Sequence, residues 1–211
     1  MRSERTRAYA MIAGGVTIVA LGAMGYFALA PAGDGDPYAD CRRGQVAGGT
    51  ATIGGPFELV NGEGAPETDK EAITGPTLVY FGYAFCPDIC PTDLLRNALA
   101  ADELAENGVD VGQVFVTIDP DRDTPEVVKE FSQSIHPDLI GLTGTPEQIA
   151  VVARDYKVYY RKAGEDPEDY LMDHSTFTYL MAPGGEFLEF YGSDVSPEAV
   201  ADSVSCFAGR S

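Results

Sequence analysis

Apolar residues in this chain are grouped into short unbroken runs, separated by longer stretches in which they recur every three or four positions. Pro76 to Tyr83 holds the run Thr77-Leu-Val-Tyr-Phe81, and Val114-Phe-Val-Thr-Ile118 repeats the pattern. Runs of that length predict strands buried on both faces of a sheet. Ile140-Gly-Leu142 predicts a shorter strand, and Gly54-Gly-Pro-Phe57-Glu-Leu-Val60 an opening strand that ends at the turn signal Asn61-Gly62. A helix is predicted from Pro91 to about Glu106, with Leu94, Leu95, Ala98, Leu99 and Leu104 as its apolar face and Asn107-Gly108 as its stop. Thr124-Pro125 and Thr145-Pro146 each place a capping residue before a proline at the first helical position. They open helices to about Ser134 and Tyr156, and Gln148 completes a capping box in the second. Thr176–Met181 and Glu186–Tyr191 predict a hairpin across Pro183-Gly-Gly185, and Ser196-Pro197-Glu198 opens a last helix carrying Cys206. Strands alternating with helices, then a hairpin and a helix, predict an α/β layer structure.

The 211 residues suffice for one ordinary domain and an appendage, and no internal repeat is present. Residues 8–30 carry no charge and are long enough to cross a bilayer as a helix. Arg2, Arg5 and Arg7 precede that stretch and acidic residues follow it. This bias predicts a single-pass anchor in the inner membrane, with the N-terminus in the cytoplasm and the domain on the periplasmic side. The same residues admit a cleaved signal peptide, since Ala28-Leu-Ala30 resembles a cleavage site; the length of the apolar run and Pro31 just after it favour the anchor. The expected division is therefore an N-terminus and anchor over 1–30, a Pro- and Gly-rich linker over 31–45, and one domain over 46–211. Net charge is −19, and the first thirty residues contribute +2, which leaves −21 beyond them. So acidic a domain excludes nucleic acid as a partner, because phosphate binding needs a basic face. Solubility accounts for the acidity, and steering of a basic partner is its functional counterpart.

Chemistry concentrates in Gly82-Tyr-Ala-Phe-Cys86-Pro-Asp-Ile-Cys90-Pro91. Two cysteines four apart fall between a buried strand and a helix N-terminus, at the end of the strand where open α/β sheets place their sites. The positive end of the helix favours thiolate, the form that attacks disulfides and binds metals. His174, in Met172-Asp-His-Ser175, offers an imidazole that completes a soft-to-borderline donor set suited to copper rather than to magnesium or calcium. From the residues alone, His174 is equally well a packed core histidine, and the cysteine pair serves either redox exchange or metal. The alternative of a structural disulfide is disfavoured by the flanking prolines. A two-residue gap is the usual oxidoreductase spacing, so the three residues here favour metal. Cys41 and Cys206, near the two ends of the domain, are expected to form a structural bridge. His136 reads as a solvated loop residue, Asp119 and Asp123 as a loop-and-cap network on the rim, and Met172 as packing rather than a soft axial donor.

Gly82-Tyr-Ala-Phe-Cys-Pro-Asp-Ile-Cys-Pro-Thr92, Asp119-Pro-Asp-Arg-Asp-Thr-Pro125 and Asp173-His-Ser175 together resemble the Sco/SenC family of copper chaperones, as does Ile53-Gly-Gly-Pro-Phe57. The likeness covers about residues 50–205, with the motifs in the family's order. It implies a thioredoxin-like fold with a central mixed sheet behind an N-terminal membrane anchor. It implies copper, as Cu(I) and Cu(II), held by Cys86, Cys90 and His174. It also implies delivery to the copper A subunit of cytochrome c oxidase, with another periplasmic copper chaperone as a further partner. Departures are Met172, where the family commonly has a smaller apolar residue, and the additional Cys41 and Cys206. Two other functions compete: a thiol-disulfide oxidoreductase in which Cys86 and Cys90 are the catalytic pair, and an antioxidant of peroxiredoxin type, which explains neither the histidine nor the cysteine spacing.

Overall fold

The computed structural model describes residues 38–42, 53–164, 166 and 169–209. A compact unit spans Asp40–Ser211. The expected anchor over 8–30 lies outside the described residues, among which no helix is long and apolar enough to cross a membrane.

The described residues form β1 (Glu58–Asn61), β2 (Pro66–Thr68), α1 (Asp69–Ala72), β3 (Thr77–Gly82), α2 (Ile89–Glu106), β4 (Gly112–Thr117), α3 (Pro125–Ile135) and β5 (Leu139–Thr143). There follow α4 (Pro146–Asp155), β6 (Tyr160–Ala163), β7 (Leu171–His174), β8 (Thr178–Met181), β9 (Phe187–Tyr191) and α5 (Pro197–Ala208). Seven strands make one mixed sheet in the order β2-β1-β5-β4-β3-β8-β9. The two apolar runs become its centre: β3 pairs in parallel with β4, from Thr77 opposite Gly112 to Gly82 opposite Thr117. All six residues of β3 are buried, as a strand covered on both faces requires. β4 continues in parallel to β5, while β8 runs antiparallel on the other side of β3 and turns back into β9. The β3–α2–β4 crossover and the β8–β9–α5 unit give the thioredoxin-like α/β arrangement that the resemblance implies.

The capping signals act as read. Thr124, Thr145 and Ser196 accept from the backbone N–H groups of Val127, Gln148 and Ala199, and Gln148 reaches back to the Thr145 N–H at 2.8 Å. Gly108, at φ +77°, ends α2 by placing its own N–H on the Ala105 carbonyl and that of Val109 on Leu104. Two details of α2 differ from expectation. It starts at Ile89, so Cys90 stands in its first turn, where Pro91 sacrifices no helical hydrogen bond. Leu95 and Leu99 are half exposed, whereas Leu94, Ala98, Ala101 and Leu104 are buried. The second buried flank of the helix is polar. Arg96 donates to the Gly192 and Val195 carbonyls and to Thr178 Oγ1, and Asn97 also donates to Thr178.

β6 and β7 form a separate two-stranded ribbon that the apolar pattern does not announce. Cys41 and Cys206 are joined by a disulfide, as expected from their positions in the sequence. Arg42 seats the neighbouring backbone by donating to the Leu188 carbonyl and lying 6.0 Å from the Phe207 ring centroid.

Candidate metal centre

β3 delivers the cysteine segment. The chain leaves the sheet at Gly82, a position that must lack a side chain: a Cβ there would lie 2.8 Å from Cys90 Sγ and 2.9 Å from Tyr80 Cε1. Cys86 follows in the turn, and the start of α2 brings Cys90 back beneath it. The Cys90 N–H donates to Cys86 Sγ at 3.3 Å, so the first turn of the helix spends one of its free amides on sulfur. Cys86 and Cys90 are both buried and both free.

His174 arrives from the end of β7, opposite Tyr160 of β6. Its Nε2 lies 3.4 Å from Cys90 Sγ, and its Nδ1 is 2.8 Å from the Ser175 carbonyl. A carbonyl only accepts, so Nδ1 carries the proton and the Nε2 lone pair faces the sulfurs. Tyr80 and Tyr83 stand edge-on to the imidazole, with ring centroids 6.4 and 5.9 Å away, and limit its swing. One donor atom from each of Cys86, Cys90 and His174 lies within 4.8 Å of the others. Metal–sulfur bonds of about 2.3 Å and metal–nitrogen bonds of about 2.0 Å span gaps up to about 4.6 Å, so one ion fits among them after small side-chain adjustment.

The two thiols are not equivalent. The Cys90 thiol hydrogen-bonds to the Cys86 sulfur and holds Cys86 well below the ordinary thiol range, aided by the Asp88 and Cys90 amides and opposed by burial. Cys90 is pushed up by that same interaction and by its burial. The reduced pair therefore holds one proton on Cys90 and one negative charge on Cys86. Burial, with Cys90 and Asp93 close by, pushes the Tyr80 hydroxyl up as well and keeps it neutral.

Asp119 and Asp123 shape the rim, as the sequence indicated. Asp123 Oδ2 accepts from the Ala84 N–H at 2.9 Å and from Thr117 Oγ1 at 2.5 Å, tying the cysteine turn to the end of β4. Met172 is packed into the main core rather than standing among the donors. His136 corrects the expectation of a solvated residue. Its Nδ1 accepts from the Asp138 N–H at 3.2 Å, and its Nε2 is 3.3 Å from Asp102 of α2, well away from the donor set. Gly82, Tyr80, Tyr83, Arg122 and Tyr170 are additions that spacing alone did not single out. Of these, Gly82 and Tyr83 lie inside the cysteine motif and Arg122 inside the Asp119–Pro125 motif, whereas Tyr80 and Tyr170 had no motif to mark them.

Known proteins share this sequence and fold. The SCO1/SenC family profile matches residues 45–209. Protein SenC of Rhodobacter capsulatus is 49% identical over 97% of this chain and 91% of its own length. The mitochondrial SCO1 homolog 1 of Arabidopsis thaliana is 48% identical over 74% of this chain and 47% of its own length. The crystal structure of Arabidopsis thaliana ScoI with copper bound superposes with a TM-score of 0.70 at 47% identity, covering 74% of this chain and 98% of that one. Yeast Sco1 with copper bound gives 0.68 at 36% identity, over 73% and 87% of the two chains. The family profile runs from ahead of β1 through α5 and includes every motif at the donor set: the chain belongs to the SCO1/SenC family.

Proposed function

We propose that this protein is a copper-binding metallochaperone that carries the ion on Cys86, Cys90 and His174 and delivers it to the copper A site of cytochrome c oxidase. The observation that carries this is the convergence of two sulfurs and one imidazole nitrogen within 4.8 Å. Two thiolates and an imidazole suit copper, and among the described residues the three donors have no fourth protein ligand such as structural zinc takes. Family membership and the copper-bound structures of two relatives support the same cargo. The donor set fits both halves of the task. Cys86 is already charged, Cys90 gives up its proton as the metal enters, and the fixed imidazole tautomer presents a free lone pair. A partner's ligands then replace these donors one at a time. The proposed setting is the periplasmic face of the inner membrane, with residues 8–30 as a single-pass anchor, 31–45 as linker and the copper-binding domain from 46 onward.

Thiol-disulfide exchange is the second function this site favours, because a depressed Cys86 beside a protonated Cys90 is the arrangement of an attacking thiolate and its partner. It uses the copper-free protein and serves to reduce the target's cysteines before metal is passed. Copper titration of the reduced and the oxidised chain separates the two roles. One copper per reduced chain is expected, with none bound tightly once Cys86 and Cys90 are joined. Cys86→Ser or Cys90→Ser abolishes tight binding, since an alcohol stays protonated where a thiol ionises. His174→Ala retains Cu(I) on the two sulfurs and loses Cu(II) sharply. Equal affinity in the oxidised protein would place copper on surface carboxylates and overturn the proposal.

A further inference from the structure

The donors come from two separately supported pieces of chain. Cys86 and Cys90 stand on the link between β3 and α2, whereas His174 stands on the β6–β7 ribbon, which pairs with no strand of the main sheet. Beside the ribbon, a cleft of about 180 Å³ is lined by Ile118, Asp119, Tyr160, Lys162 and Met172 among others, and so runs between the ribbon and the segment after β4. Besides the contacts of His174 itself, the Arg122 side chain touches both pieces. The Arg122 guanidinium lies 3.6 Å from the ring centroid of Tyr170, the residue before β7, and 4.9 Å from that of Phe85, the residue before Cys86. Its Nε donates to Asp119 Oδ2 at 2.6 Å, and the other oxygen of Asp119 accepts from the Tyr170 hydroxyl, also at 2.6 Å. Arg122 Nη2 is buried without a hydrogen-bond acceptor among the described residues, so ring faces are what it meets. Lys162, from β6, lies 4.6 Å from the Tyr170 centroid and reaches Asp121 at 2.7 Å.

We propose that Arg122 is a positioning residue: by clamping Tyr170 against Phe85 it fixes the distance from His174 to the two sulfurs and so sets the preference between copper valences. Cu(II) needs the imidazole, whereas two thiolates alone hold Cu(I), so loosening the ribbon costs the first and spares the second. This rests on the copper assignment made above. A surface arginine that only seals the rim would leave both valences and the ribbon unchanged on removal. An arginine needed for folding would lose both valences together.

The test uses the reduced full-length chain and two variants. Arg122→Met keeps length and removes charge and planarity; Tyr170→Phe keeps the ring and removes only the hydroxyl that Asp119 accepts. In the metal-free protein, amide exchange over Tyr160–Ala163 and Leu171–His174 is expected to rise about tenfold in Arg122→Met and less in Tyr170→Phe, with β3 and β4 unchanged. Cu(II) affinity is expected to fall about 10- to 100-fold, as for other groups that orient a ligand, while Cu(I) affinity stays within about threefold. Unchanged exchange with unchanged Cu(II) affinity would overturn the proposal, and so would faster exchange across the whole sheet with loss of both valences. If the unaltered chain took up no copper at all, the functional assignment would fall, and ribbon exchange in the metal-free variants would still decide whether Arg122 is the clamp.

Discussion

Cys86 and Cys90 differ by a proton, and that difference has a direct readout. With Cys86 held down and Cys90 pushed up, a small alkylating agent at mildly acidic pH should modify Cys86 and leave Cys90 untouched. Peptide mass mapping checks this, and equal labelling of the two would contradict the assigned proton. Gly82 makes a second prediction. Because its Cβ would meet Cys90 Sγ at 2.8 Å, Gly82→Ala should push the sulfur out of line, weaken copper binding and cost about 1–3 kcal/mol of stability by denaturant titration. The cysteines were legible in the sequence because thiols between a strand and a helix have few other uses. His174 was undecided on its residues alone, since nothing local distinguishes a ligand from a core histidine. Gly82 and Tyr80 were not legible as site residues because their part depends on atoms brought close only by folding.

Elements with strong punctuation were read well, and those without were missed. The Thr-Pro and Ser-Pro caps and the continuous runs in β3 and β4 survive into the structure because each is a local preference that the fold has no cause to override. The ribbon escaped notice: Tyr160-Arg-Lys-Ala163 and Leu171-Met-Asp-His174 are four-residue strands rich in charge, and their pairing depends on register rather than on apolar content. Leu95 and Leu99 were misplaced because α2 buries Arg96 and Asn97 by hydrogen bonding, a flank that hydrophobicity cannot reveal. The link from β4 to the cysteine turn carries its own pH signature. Burial pushes Asp123 up to about 6, with hydrogen bonds from Thr117 and Ala84 opposing. A carboxyl raised in the folded state stabilises fully below its unfolded value near 4, and that contribution is lost as pH rises through 6. Measured from pH 4 to 7, the wild-type chain should therefore lose about 2–3 kcal/mol relative to Asp123→Asn. Parallel stability curves would remove Asp123 as the titrating group.

The molecule as a whole is closed by the Cys41–Cys206 disulfide, which encloses nearly the entire domain. Replacing both cysteines by serine should cost up to about 4–5 kcal/mol on the chain-entropy account and leave copper uptake unchanged, since neither sulfur belongs to the donor set. Urea unfolding of the double variant beside the parent checks the first; copper titration checks the second. A crosslink from Cys41 or Cys206 to Cys86 or Cys90 in peptide maps of the parent would contradict the pairing.

That bond is also a path for force. The linked residues are 165 apart in sequence, so at about 3.6 Å per residue the loop between them stores about 600 Å of contour length. Tension applied ahead of Cys41 and beyond Cys206 passes from sulfur to sulfur and bypasses the sheet, the ribbon and the metal centre. While the bond holds, a pull on the two ends finds almost nothing to extend; once it is reduced, the same pull loads every strand in the domain.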